Sequence, residues 1–328
     1  MREESDFRNV YMLGYVSFFT DFSSEMVFSI LPVYILGLPG GSVAALGLIE
    51  GTAESLSYIL RAISGVTSDW FNKRKIFILL GYGVSNIAKP FFALTNTVAQ
   101  ALSIRVLDRV GKGIRTAPRD ALISDSASYK EQGIAFGIHR TLDQLGAIVG
   151  PLTATLIMVR LGWTVRGVFL LSLVPGSIAL IIIIFGVKEI LASQSTEFRF
   201  LVGLREVLKG KYLILITIVG IFSLGAFNFS FILLNAKEMG VSEALIPIVY
   251  AVVNLTHTAI AIPAGRLSDR IGKERVLLIG YIAFMLTAVL LAVAPSNIRV
   301  IIPDSGCIRR LHGGSGDGSK SNDPRLRR

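Results

Sequence analysis

Cysteine is almost absent: Cys307 stands alone in 328 residues, so no disulfide can form within the chain and the redox compartment stays open. Charge is scarce as well. Asp, Glu, Lys and Arg make up 17% of the chain, against about a quarter in an ordinary soluble protein. Signatures of catalysis are missing too. There is no zinc-ligand spacing, no phosphate-binding glycine loop and no Ser-His-Asp arrangement, so neither an enzyme nor a cofactor is expected. The ten-residue alternation of a membrane β-barrel does not occur. Nor does a short apolar core with a small-residue cleavage site near the start, where Arg2, Glu3, Glu4 and Asp6 precede a long apolar run; no cleaved signal is expected.

What fills the chain instead is apolar. Hydrophobic residues reach 52% and the mean hydropathy is +0.61, in continuous runs long enough to cross ~30 Å of hydrocarbon. Nine spans are read, near 10–36, 43–66, 75–95, 98–118, 132–159, 165–187, 211–235, 243–264 and 275–294. The fold class is therefore an all-α polytopic membrane protein. Lys and Arg gather in alternate connections. Lys73, Arg74 and Lys75 lie in one, Lys112 to Lys130 in the next of the set, then Lys188 to Lys211, then Arg266, Arg270, Lys273 and Arg275. The other connections, 37–42 and 96–100 among them, carry little charge. By the positive-inside rule the N-terminus is expected on the cytoplasmic side of the cell membrane. The net charge of +10 thus reports topology. The implied partner is the lipid bilayer, and no nucleic acid.

Two of the basic connections repeat a pattern. Gly65-Val-Thr-Ser-Asp69 precedes Trp70-Phe71-Asn72-Lys73-Arg74-Lys75, and Gly265-Arg-Leu-Ser-Asp269 precedes Arg270-Ile271-Gly272-Lys273-Glu274-Arg275. This resembles the loop signature of the major facilitator superfamily, Gly-x-x-x-Asp-(Arg/Lys)-x-Gly-(Arg/Lys)-(Arg/Lys), which recurs there after the second and eighth helices. Asn72 replaces the usual Gly, and since Asn tolerates a left-handed backbone the tight turn is expected to survive. The resemblance implies a complete six-helix N-terminal bundle over 1–187, a cytoplasmic linker over 188–210, and a partial C-terminal bundle of three helices over 211–295. Residues 296–328 are basic and Gly/Ser-rich and match nothing in the family pattern. A shifted or truncated reading frame and a genuine disordered tail are two readings of that segment. A chain so ended is expected to transport poorly, because alternating access needs two bundles.

Ionisable groups inside the spans are costly and mark function or pairing. Asp21 and Glu25 share a face of the first span, Glu50, Glu54 and Arg61 one of the second, and Lys89 lies in the third. Arg105, Asp108, Arg109 and Lys112 follow helical spacing along the fourth, and His139 and Asp143 share a face of the fifth beside Arg140. Asp21, Glu54, Asp108 and Asp143 each fall roughly 15 Å from a span end, close to mid-depth. One reading is a polar cavity for a small-molecule substrate, with carboxylates that take up and release protons. The other is a set of permanent ion pairs holding the helices together. Arg61, Lys112, Arg115 and Arg119 are expected to snorkel or to pair as a gate. In the loops, Asp69 is expected to accept hydrogen bonds from a helix N-terminus and from basic residues such as Arg74, latching that face; the competing reading is a purely topological signal.

Arg105-Val-Leu-Asp108-Arg109-Val-Gly111-Lys112-Gly113 looks like the fourth-helix motif of the family, whose Arg is implicated in proton transfer. Asp108 and Arg109 replace its usual Gln and Gly, which puts close helix packing there in question. Gly146-Ala-Ile-Val-Gly150-Pro151 resembles the family's antiporter motif; physically, the glycines permit close helix contact and Pro151 frees a carbonyl and bends the span. In the second half Asn228, Asn235, Asn254 and His257 are the interior polar residues, and Phe222, Phe227, Phe229 and Phe231 face either a cavity or lipid. The function implied is secondary transport of a small solute, with proton-coupled efflux expected; uptake symport and a non-transporting binding or assembly module are the alternatives.

Overall fold

The computed structural model describes residues 7–128, 131–190, 210–225 and 228–293. The expected linker lies outside the described residues from 191 to 209, as does everything from 294 on, Cys307 and the tail included. Each expected span coincides with helix. The first is α1 (Phe7–Phe28) followed by α2 (Leu31–Leu36), interrupted at Ser29 and Ile30. Pro32 opens α2, where its missing N–H removes no intrahelical bond. Then come α3 (Val43–Phe71), α4 (Arg74–Ala88) with a 3₁₀ continuation over Lys89–Leu94, α5 (Val98–Asp125) and α6 (Gln132–Leu161). Helices α7 (Val165–Leu171) and α8 (Leu173–Gly186) make the sixth span. After it lie α9 (Gly210–Gly225), α10 (Ser230–Glu238), α11 (Ile246–Ile271) and α12 (Lys273–Val293).

The ends of the helices are written locally. At the charge-poor connections Ser42, Thr97 and Thr164 each cap a helix, accepting from the backbone N–H of Ala45, Gln100 and Gly167. At the repeated motif Asn72 takes φ +51° and its counterpart Gly272 φ +94°. The left-handed turn expected at Asn72 is therefore present, and both motif copies turn the same way at the same position.

Six helical segments among the described residues are long and apolar enough to cross a membrane: Phe7–Leu36, Val43–Phe71, Arg74–Leu94, Gln132–Leu161, Val165–Gly186 and Glu243–Ile260. Helix α5 is not one of them, because its polar residues are too many. Arg105, Asp108, Arg109 and Arg115 on it are all buried. Helix α5 is thus wrapped by neighbours, and α3 and α4 supply most of the wrapping. Close approach is bought with glycine. A Cβ on Gly111 would stand 2.5 Å from the Gly81 carbonyl, and one on Gly113 2.8 Å from that of Ser57. Packing put in question by Asp108 and Arg109 is therefore supplied by the next glycines along. On α6, a Cβ on Gly146 would meet the Phe18 carbonyl at 2.3 Å and one on Gly150 that of Phe22 at 2.7 Å, so this pair seats α6 on α1 as expected.

The chain divides into two compact units, 1–276 and 277–328. Within the first, two apolar clusters bracket a polar layer. One contains Met26, Ile30, Phe92, Ala101, Ala154 and Phe169; the other contains Val10, Leu13, Ile78, Tyr82, Leu122 and Ala135. Along α1, α4, α5 and α6 alike, the residues between the two clusters are the ionisable ones. The charges expected from residue counting at mid-span thus lie between the two apolar clusters.

Candidate functional site

The polar layer opens into a cavity of about 640 Å³, within the ~300–1,000 Å³ range of small-molecule sites. Helix α1 contributes Asp21 and Glu25, α5 contributes Asp108 and Arg109, and α6 contributes His139 and Asp143. Six of the ten expected cavity residues therefore line one space. The other four stand outside its lining. Arg105 and Glu50 are buried partners at 2.8 Å, and Asp108 completes the pair at 3.4 Å from Arg105. Arg105 also lies over the Phe28 ring at 3.9 Å. Glu54 holds Arg109 at 3.3 Å, fixing that guanidinium from α3. Lys89 is fully buried and donates to Ser24 Oγ, Asn86 Oδ1 and the Thr20 carbonyl at 2.9, 2.6 and 3.4 Å. Three oxygens satisfy its three protons without a carboxylate.

On α6, Asp143 accepts from Ser17 Oγ at 3.0 Å and from Arg140 at 2.8 Å. The Asp21 carboxyl of α1 faces it within hydrogen-bonding reach. His139, one turn before Asp143, is buried, with its Nε2 lacking a partner among the described residues. Asp108 accepts from Ser85 Oγ at 2.6 Å. The layer is thus neither wholly paired nor wholly open.

Of the four residues expected to snorkel or to pair, Arg119 pairs with Asp120 at 2.7 Å, and Arg61, Lys112, Arg115 and Arg119 all line the cavity. They lie toward the basic end of their helices, and their side chains belong to the cavity lining. Tyr250 gave no signal in the sequence, being a lone tyrosine in an apolar run; it lines the cavity beside Phe229, ring centroids 4.9 Å apart. Asn254 joins them, while Asn228 instead accepts from Ser230 N–H and Oγ as a local turn. The side chain of His257 and residue Phe227 lie outside those described.

Pro151 has a specific partner across the structure. It has no N–H, so the Ala147 carbonyl one turn earlier has no intrahelical donor. Asn254 Nδ2 of α11 donates to that carbonyl at 3.4 Å, and Thr258 Oγ1 donates to Gln144 Oε1 at 2.9 Å. The proline that breaks one bond in α6 thereby creates a docking point for α11.

At the basic end, Arg74 joins Asp69 at 3.1 Å and also Asp125 at the end of α5. Asp69 binds the basic residue as expected, but not a helix N-terminus. That role falls to Glu189, whose two oxygens accept from the backbone N–H of Arg74 and Lys75 at 3.0 and 2.9 Å. A carboxylate after α8 thus caps α4, which spacing within the motif does not disclose. In the second copy Gly265 and Asp269 lie in α11 with the Asp269 side chain outside those described, and Arg270 is exposed.

The profile of the Major Facilitator Superfamily matches residues 13–303. An uncharacterized MFS-type transporter of Methanocaldococcus jannaschii is 41% identical over 283 residues, covering 84% of this chain and 70% of that protein. The multidrug resistance protein MdtG of Escherichia fergusonii is 27% identical over 312 residues, covering 89% and 72%. A crystal structure of a bacterial homologue of the human lysosomal transporter Spinster, inward-facing and unoccupied, superposes with a TM-score of 0.63 at 19% identity. That match covers 83% of this chain and 64% of the solved one, so this chain spans just under two thirds of its length; at such identity the likeness concerns the fold.

Proposed function

The chain belongs to the major facilitator superfamily, a family of membrane transporters and not of enzymes, and we propose from that premise that it moves a small solute by alternating access, in proton-coupled efflux. The observation that carries the proposal is the cavity itself: about 640 Å³ at the depth of the polar layer, walled by opposed charges from α1, α5 and α6 and closed by α11. Asp21 and Asp143 are its proton carriers. Two carboxylates that face each other repel unless a proton lies between them, and Arg140 on one side offers a competing partner for Asp143. Exchanging the proton for the arginine as the helices move would couple proton transfer to solute movement. Efflux is favoured by the name of the MdtG relative and by the Gly146–Pro151 segment.

The N-terminus and the Asp69–Arg74–Asp125 cluster are assigned to the cytoplasmic face of the cell membrane, where the cluster clasps the ends of α3, α4 and α5. In cells carrying Cys307→Ser, a membrane-impermeant thiol reagent should label Ser42→Cys and leave Trp70→Cys, at an exposed position, unreacted; the reverse pattern would invert the assignment.

The coupling is tested in vesicles with a lumenal pH dye. Addition of a transported solute should move protons with the wild-type chain. Asp143→Asn should abolish that movement while preserving solute exchange across the same membrane. Unchanged proton movement in Asp21→Asn and Asp143→Asn would remove both carboxyls from the coupling.

A further inference from the structure

The cations of the cavity wall fall into two groups. Arg109, Arg119 and Arg140 are each paired, with Glu54, Asp120 and Asp143 at 3.3, 2.7 and 2.8 Å. Arg61, Lys112 and Arg115 line the same space and have no carboxylate within salt-bridge distance among the described residues. Arg115 is the sharpest case. It is only 6% exposed, its guanidinium lies 4.1 Å from the Tyr82 ring centroid, and its buried Nε and Nη1 have no acceptor among the described residues. The Nε of Arg61 is likewise buried without one. A buried guanidinium N–H left without an acceptor is costly, so such groups are retained where something else supplies the oxygens.

The protein's own free carboxyls do not supply them. Asp21 is turned to Asp143, and one oxygen of Glu25 has no partner at all. Lys112 and Arg115 are three residues apart on α5, on one face, and Arg61 comes from α3. The Tyr82 ring supports the Arg115 guanidinium from below, and its unpartnered Nε and Nη1 are a pair of donors of the kind that recognises carboxylate, phosphate or sulfonate. Phe136, Phe229 and Tyr250 give the same cavity an apolar wall.

We infer that the solute is a soluble organic anion, its oxyanion held by Arg115 with Lys112 and Arg61, and its apolar part set against Phe136, Phe229 and Tyr250. This rests on the transport reading for what the site serves, but not for what it binds. The charge on Lys112 and Arg61 gathers the ligand; Arg115, fixed on its ring, orients it.

The test uses the full chain purified in neutral detergent, with phenyl phosphate and benzoate as probes and benzamide and benzylamine as their neutral and cationic counterparts. The anions should raise the apparent Tm in a saturable way, and the counterparts should not. Arg115→Gln should weaken that binding about tenfold or more, the loss of one charge-assisted contact. Lys112→Gln should weaken it to a smaller degree and serves if Arg115→Gln does not fold. Arg160→Gln, an exposed site at the end of α6, should leave it unchanged. Stabilisation by benzylamine equal to or above that by the anions, absence of any anion effect, or full anion binding in both Arg115→Gln and Lys112→Gln would overturn the inference. Vesicle flux separates it from the transport reading. Anion binding without flux of any probe removes transport and leaves the site standing; flux of benzylamine without anion binding keeps transport and removes the anion site.

Discussion

A buried charge in this protein is either answered by another residue or left facing the cavity, and the two cases have different consequences. Arg105 is answered twice, by Glu50 and Asp108. Removing one partner of a buried pair leaves a charge without compensation, which costs about 3–5 kcal/mol; since Asp108 remains, Glu50→Gln should lower stability toward the lower end of that range. Thermal unfolding in detergent measures it, and an unchanged Tm would show the pair to be dispensable. Lys89→Met is expected to be milder in charge terms. It removes the cation together with three acceptors' donor, leaving Ser24 and Asn86 to repair with each other or with water. The sequence disclosed that these residues were inside a membrane and on which helix face. It could not disclose that Glu50, Glu54, Lys89 and Arg105 stand outside the cavity lining, because that depends on distances between helices. It was silent on Tyr250 for another reason: a single tyrosine with no charged neighbour at helical spacing has no pattern to betray it.

Among the elements, α6 does most to position the site, and its sequence told much of that. The spacing of Gly146 and Gly150 marks a face for close contact, and α1 occupies it, so Gly146→Leu should abolish the folded protein while Gly137→Ala, with nothing within 4 Å of its Cβ, should be silent. Recovery of folded Gly146→Leu at wild-type yield would contradict the contact. Pro151 predicted a free carbonyl; what took that carbonyl was invisible, because Asn254 lies more than a hundred residues on. A double-mutant cycle tests the link. Asn254→Val alone should cost about 1–3 kcal/mol by leaving the Ala147 carbonyl unpaired. With Pro151→Ala the residue at 151 regains its N–H, α6 satisfies its own carbonyl, and Asn254→Val should then cost far less. Equal costs in the two backgrounds would mean that the asparagine and the proline act independently. Helix α5 was legible as a span over 98–118 although it carries more charge than the apolar spans, and what the sequence did not show is that those charges face inward.

At the scale of the whole molecule, the account is that one polar layer between two apolar clusters serves as a passage. The clusters lie on either side of the layer; the cavity gives it volume; α11 adds Tyr250 and Asn254 to its lining from the second half of the chain. Alternating access requires that this space meet water from one side and then the other. Thr116 lines it and is small enough to replace without altering a charge. The most direct measurement is therefore the reactivity of Thr116→Cys, in a chain carrying Cys307→Ser, toward an impermeant thiol reagent added separately to each face of oriented membranes. The account predicts labelling from both faces, with an occupying solute slowing both. Labelling from one face alone, at every solute concentration and pH, would make the cavity a closed-ended pocket and contradict it.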